Sequence, residues 1–245
     1  MIYKSKSQIA RIETEKWALN NIFCPLCGNV LNDSSANTKV YDFSCSSCNQ
    51  VYQLKALSKK IGKKLIGSEY YTFMKAIENK SVPNFLIMEY SFENNCFKSK
   101  EVIFVPKVFI TEEIIEKRKP LSESARRAGW TGYNLLFEPI PSYGKLQIVK
   151  NGVLQTKDII LKESKKITSL YNTDLNKIKW KIEILKILDL VDSVFTIQDI
   201  YKNEIKLLEL FPNNNHIKEK IRQQLQFIRD DGVIVFRGNG KYEKT

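Results

Sequence analysis

The chain has 245 residues, which allows one large domain or two small ones, and its 43% apolar and 11% aromatic content is enough for real cores, excluding global disorder. No run of about 18 apolar residues occurs, which excludes a bilayer-spanning helix, and the opening MIYKSKSQIARIETEKW lacks the apolar segment of a secretory signal, so a cytoplasmic protein is expected. Lysine and arginine number 39 against 27 acidic residues, a formal charge of +12 that favours a polyanionic partner, nucleic acid before an anionic membrane surface.

In chain order, residues 4–19 read as a covering helix. Two cysteine pairs follow, Cys24-Pro-Leu-Cys27 and Cys45-Ser-Ser-Cys48, separated by a 17-residue spacer. Two thiolates two residues apart can hold one ion when the turn between them is tight, and a second such pair completes a tetrahedron. Gly28 suits the left-handed turn that such knuckles use. The pattern predicts a structural zinc site with no open position for chemistry. Two disulfides or two redox pairs are the alternative, which the absence of an export signal disfavours. Cys96 has no partner in sequence and is expected at a core or strand position.

The segment KVYDFSCSSCNQVYQLKALSKK alternates as two strands of a hairpin, with Val40 and Asp42 on the first, Val51, Gln53 and Lys55 on the second, and the knuckle at its tip. Asp42 is expected at the end of the first strand. Gln53 and Lys55, two apart, face the same side. A carboxylate, an amide oxygen and a lysine would then converge, with the Leu54 carbonyl as a further ligand. Such a set suits phosphodiester cleavage assisted by Mg²⁺: Asp42, Gln53 and Leu54 hold the cation, and Lys55 orients or deprotonates water. The spacing is unspecific by itself, since a lysine on a strand edge is often merely solvated.

Residues 68–80 suggest a second covering helix. NFLIMEY (84–90) and EVIFVP (101–106) are continuous apolar runs and predict buried strands of a central sheet. Arg118-Lys119-Pro120 and Arg126-Arg127-Ala128-Gly129-Trp130 form the densest basic and aromatic patch. It can hold phosphates and offer an apolar face to a base, or it can be a solvated helix end with Trp130 in the core.

From about residue 176 the period becomes helical. Ile178, Ile182, Leu185 and Leu188 share one face of a helix of about 14 residues. Thr196 and Asp199 are spaced as a capping box for a second helix ending near Leu210. A third helix buries Ile217, Ile221, Leu225 and Ile228 and turns Glu219, Arg222, Gln223 and Gln226 outward, with His216 and Lys218 near its start. Val233–Phe236 and the turn Arg237-Gly238-Asn239-Gly240-Lys241 complete a winged helix-turn-helix of about 65 residues. Arg222 and Gln223 suit guanine and adenine edges, His216 and Lys218 sit at the entry of the same helix, and Arg237, Lys241 and Lys244 make a basic wing. A helical dimerisation domain is the alternative.

Four stretches, YKSKSQIARIETEKW with CPLCGN, DFSCSSC with YQLK, KPLSESARRAGWTG, and NNNHIKEKIRQQLQFIRDDGVIVFRGNGKYEK, run nearly end to end, and on them the chain resembles the DpnI type of methyl-directed restriction endonuclease. The resemblance implies an α+β fold: a PD-(D/E)xK nuclease domain with the zinc site over residues 1–175 and a winged helix over 176–245. It implies Mg²⁺-dependent cleavage of duplex DNA at adenine-methylated GATC, both domains reading the methylated site, by a monomer with no membrane partner. Asp42 and Lys55 match the motif positions, whereas Gln53 stands where the motif has glutamate. A neutral amide binds Mg²⁺ more weakly than a carboxylate. A catalytically weakened reader of methylated DNA is therefore the second reading, and a zinc-ribbon transcription factor the third. Glu15 is a candidate for an additional carboxylate, and Trp130 for the apolar contact to a methyl group.

Overall fold

The structure, a computed structural model, describes residues 5–34, 41–94, 96–172 and 175–245. The chain forms two compact units, Met1–Ile140 with Gly144–Lys162, and Pro141–Tyr143 with Glu163–Thr245.

The first unit begins with α1 (Lys6–Asn21), capped by the Ser5 side chain, which accepts from the Gln8 N–H. The strands that follow are β1 (Asn32–Asp33), β2 (Phe43–Ser44), β3 (Val51–Leu57) and β4 (Lys64–Glu69), then α2 (Tyr70–Glu78), β5 (Asn84–Glu93), β6 (Cys96–Val105), β7 (Ile115–Lys117), β8 (Gly132–Leu136), β9 (Leu146–Lys150) and β10 (Val153–Leu154). Among the described residues they make a seven-stranded sheet ordered β1-β2-β3-β5-β6-β9-β10 and a three-stranded sheet ordered β4-β8-β7. β3 and β5 pair in parallel, Gln53 beside Phe85 and Lys55 beside Ile87, because β4 and α2 cross over between them. Every other strand pair is antiparallel.

The apolar run in β5 is the centre of the core: Phe85, Leu86, Ile87 and Met88 are all fully buried. Phe73 of α2 lies between the two sheets, 6.1 Å from the Phe85 ring and 4.3 Å from Tyr133 of β8. Gly67 of β4 lets Tyr133 close down, since a Cβ there would stand 2.1 Å from its ring. Cys96 opens β6, in a strand as expected, but exposed rather than in the core.

Helix α3 (Lys157–Thr168) carries the chain into the second unit. That unit contains α4 (Leu175–Leu188), β11 (Val194–Thr196), α5 (Ile197–Tyr201), α6 (Glu204–Leu210), α7 (Ile217–Asp230), β12 (Ile234–Gly238) and β13 (Lys241–Lys244). Its sheet is ordered β11-β13-β12, so β13 returns between the other two strands, the connectivity of a winged helix. Ile178, Ile182, Leu185, Ile217, Ile221, Leu225 and Ile228 are buried as their spacing requires. Thr196 and Asp199 form the capping box. The second helix differs from its expected form. It breaks at Lys202-Asn203, and Asn203, a poor helix former, becomes the cap from which α6 starts.

The α+β architecture read from the sequence is thus borne out, with a sheet-rich N-terminal unit and a C-terminal winged helix-turn-helix. No helix among the described residues is long and apolar enough to cross a membrane.

Candidate functional site

The four cysteines meet. All four sulfurs lie within 4.8 Å of one another, Cys24 and Cys48 at 3.5 Å and Cys27 and Cys45 at 3.5 Å. Sulfurs bound to one zinc at 2.3 Å in a tetrahedron stand about 3.8 Å apart, so the cluster fits the ion with little adjustment. The two knuckles have the same construction. The N–H of Gly28 donates to the Cys24 carbonyl and that of Asn49 to the Cys45 carbonyl, both at 2.8 Å. Both residues take the left-handed conformation, φ 76° and 55°, which glycine and asparagine adopt most readily. Burial pushes the Cys24 and Cys48 thiols up, whereas hydrogen bonds from Asn29, Cys24 and Cys45 outweigh burial at Cys27 and bring it to about 7.

The second knuckle is the tip of the β2–β3 hairpin, with Phe43 opposite Tyr52 and Ser44 opposite Val51. Val40 lies outside the described residues. Asp42 stands just before the two-residue β2 rather than at the end of a longer strand, yet its N–H still joins the ladder by donating to the Tyr52 carbonyl at 2.8 Å. Its carboxylate accepts the Leu54 N–H at 2.7 Å. Asp42, Gln53 and Leu54 line one open cleft of about 620 Å³ together with Arg11, Thr14 and Glu15 of α1 and Tyr90 of β5. Glu15 is paired with Arg11 at 2.6 Å. Burial raises the Asp42 carboxyl above its ordinary value and the Leu54 N–H opposes this; Glu15 pushes it up further, while Arg11 and Lys55 pull it down.

Lys55 is placed differently from the others. Its ammonium lies 5.1 Å from the centre of the Phe85 ring and 5.6 Å from that of Tyr133. Burial brings it down to about 8, and the charge of Asp42 resists that change, so the two groups interact across the end of the hairpin. The sequence reading passed over Arg11. Its signal was the i,i+4 spacing to Glu15 on a helix face.

The residues singled out for DNA are exposed in both units, except Trp130. In the first, the loop between β7 and β8 is closed by the Leu121 N–H on the Trp130 carbonyl at 2.9 Å and the Arg118 N–H on the Gly132 carbonyl at 3.0 Å. Arg126 and Arg127 are exposed on this loop, with the Arg127 guanidinium 5.4 Å from the Trp130 ring. Trp130 is half-buried over Gly132, where a Cβ would meet its ring at 2.8 Å. It belongs neither to a helix end nor to the core. In the second unit, His216, Lys218, Arg222 and Gln223 are exposed on or just before α7, and Arg237 and Lys241 are exposed on the wing. Several of these cations already have acidic partners: Lys218 with Glu204 at 3.3 Å, Arg222 with Glu219 at 3.9 Å, Arg237 with Glu243 at 2.7 Å.

A sheet-rich domain with a cysteine cluster able to hold a metal and a charged cleft, followed by a winged helix with a polar outer face, fits a DNA-binding protein of the nuclease class. The chain belongs to the DpnI family, described as Dam-replacing: that family's model matches residues 1–173, and the model of the Dam-replacing HTH domain matches residues 176–244. The family is one of restriction endonucleases, and the protein is a DNA-binding nuclease.

Proposed function

We propose that the protein is a Mg²⁺-dependent Type II restriction endonuclease that cuts duplex DNA at GATC when its adenines are methylated. It would act as a cytoplasmic monomer, with residues 1–175 as nuclease and 176–245 as winged-helix reader. One observation carries the catalytic part: Asp42, Gln53, Leu54 and Glu15 line a single cleft, with Asp42 fixed by the Leu54 N–H. The donor set is of hard oxygens, which fits Mg²⁺. Asp42, the Gln53 amide oxygen and the Leu54 carbonyl would hold the ion, and Glu15 would add the negative charge that Gln53 lacks. When bound, the ion neutralises charge on the phosphate and acidifies water.

Lys55 would do the remaining work. Held near pKa 8, it is mostly charged at pH 7 and can stabilise the pentacovalent phosphate, while its neutral fraction, which grows as the pH approaches 8, can take a proton from the attacking water. Methyl recognition is additive. Burying one methyl contributes only about 1 kcal/mol, so two methyls read by two domains discriminate better than either alone. Trp130 is the apolar face proposed for the nuclease unit, and Arg222 and Gln223 the base contacts of the reader.

The test is a digest of plasmid from adenine-methylating and non-methylating hosts with added Mg²⁺. Only methylated plasmid should be cut, and Lys55→Ala should abolish cutting while leaving DNA binding largely intact. Wild-type cleavage by Lys55→Ala would overturn the site assignment. The neutral Gln53 favours a second reading, a reader of methylated DNA with a decayed centre. It predicts a mobility shift on methylated duplex without cleavage even in Mn²⁺, and cutting restored by Gln53→Glu.

A further inference from the structure

Tyr52 of β3 touches both centres of the first unit. Its side chain is fully buried, and its hydroxyl lies 2.9 Å from the Cys24 sulfur, itself fully buried. Its carbonyl accepts the Asp42 N–H at 2.8 Å. It is flanked by Gln53, and Leu54, one residue further, donates to the Asp42 carboxylate at 2.7 Å. The ring is fully buried, 6.0 Å from Phe104, so core packing ties the position of the hydroxyl to that of the backbone.

A thiol sulfur is a weak acceptor and a thiolate a strong one. The hydroxyl, 2.9 Å from the Cys24 sulfur, is placed to donate to it, and that hydrogen bond is strongest when the sulfur is a metal-bound thiolate. Donors to a metal-bound ligand fix its orientation and temper its charge. We propose that Tyr52 is a positioning residue that couples the two centres: its hydroxyl donates to the Cys24 sulfur, and its backbone sets Asp42 for the hard cation. Filling the cysteine cluster then steadies the oxygen site, and a bound hard cation in turn favours the filled cluster, since such coupling is reciprocal. This rests on the reading of Asp42 as a ligand of the hard cation.

The test is Tyr52→Phe in the full chain, which keeps the ring and removes one oxygen. Zinc affinity, measured by competition with a chromophoric chelator, should fall 10- to 100-fold. The sulfur-to-metal charge-transfer band of the Co²⁺-loaded protein should shift. With zinc saturating, Mn²⁺ affinity, read from the spin-resonance signal of bound ion, should fall several-fold, while far-ultraviolet dichroism stays unchanged. Phe104→Leu, which loosens the same packing without touching sulfur, controls for a merely structural effect and should leave the cobalt band in place. Zinc affinity within twofold of wild type with an unshifted band would overturn the hydroxyl contact. Weakened zinc with unchanged Mn²⁺ affinity would overturn the coupling, and an equal band shift in Phe104→Leu would overturn the hydroxyl contact. Failure of the wild-type chain to bind Mn²⁺ would sink the Asp42 assignment and the coupling with it, but not the hydroxyl contact, which the zinc measurements judge alone.

Discussion

Lys55 keeps a charge where the fold disfavours one, and Lys55→Met measures the cost. Burial lowers its pKa from 10.5 to about 8, a difference worth about 3 kcal/mol at about 1.4 kcal/mol per pH unit. Below pH 8 the lysine is charged in both folded and unfolded chains, so the folded state bears the full cost. Between pH 8 and 10.5 the unfolded chain binds the extra proton, and wild-type stability should rise with pH across that window. Methionine keeps the apolar stem over Phe85 and Tyr133 and removes the charge, although Asp42 then loses a countercharge. The variant should therefore gain about 1–3 kcal/mol at pH 7 and show no such rise above pH 8. The assay is urea unfolding of zinc-loaded protein without Mg²⁺, followed by fluorescence in a Trp180→Phe background, which leaves Trp17 and Trp130 to report on the first unit. A variant no more stable than wild type at pH 7, together with wild-type stability flat from pH 8 to 10.5, would show that burial does not penalise the Lys55 charge. The same variant should be unable to cut DNA, so that stability and activity move in opposite directions.

Gly67→Ala places a methyl 2.1 Å from the buried Tyr133 ring, and thermal unfolding should report a loss of about 1–3 kcal/mol, because that ring is stacked on Phe73 and cannot retreat. Asp199 is held below its ordinary value of 3.8 by Lys202 first and then by Thr196, so it stabilises the winged unit above that pH and progressively less below it. Asp199→Ala should lower the melting temperature at pH 7 and converge with wild type as the pH falls below about 3.8. Removing zinc with a strong chelator should unfold at least the hairpin that carries Asp42 and Gln53, seen as lost dichroism that Mg²⁺ alone fails to restore. DNA affinity should fall as salt rises, because phosphate contacts release counterions; a flat response in a salt titration would contradict the charge argument.

The parts of this molecule written in local patterns were legible in its sequence. Paired CxxC knuckles fix their own geometry through a left-handed residue after the second cysteine of each. The winged helix follows from 3.6-residue spacing, a capping box and an Asn-Gly turn. What depended on packing between distant segments was less legible. The break at Lys202-Asn203 interrupts a pattern that reads as one helix, and the exposure of Cys96 is set by its place at the outer end of β6. The hairpin was visible, but its period could not show that Lys55 would reach over Phe85 and Tyr133, residues 30 and 78 positions away in the chain. Nor could it show that Tyr52 would bridge to Cys24. The Lys55 contacts arise from the parallel pairing of β3 with β5 and from the approach of the smaller sheet, and the Tyr52 contact from the meeting of the two cysteine knuckles, none of which has a signature at the positions concerned.

On the winged unit, Lys218, Arg222 and Arg237 each already face a carboxylate. Were a duplex to dock there, it would do so by ion exchange: each phosphate that took a cation would leave an acid beside the backbone. Sequence-blind attachment would gain little from such a swap, whereas a site that also offered matching base edges would recover the deficit, so the paired acids would sharpen the choice of target at the expense of grip.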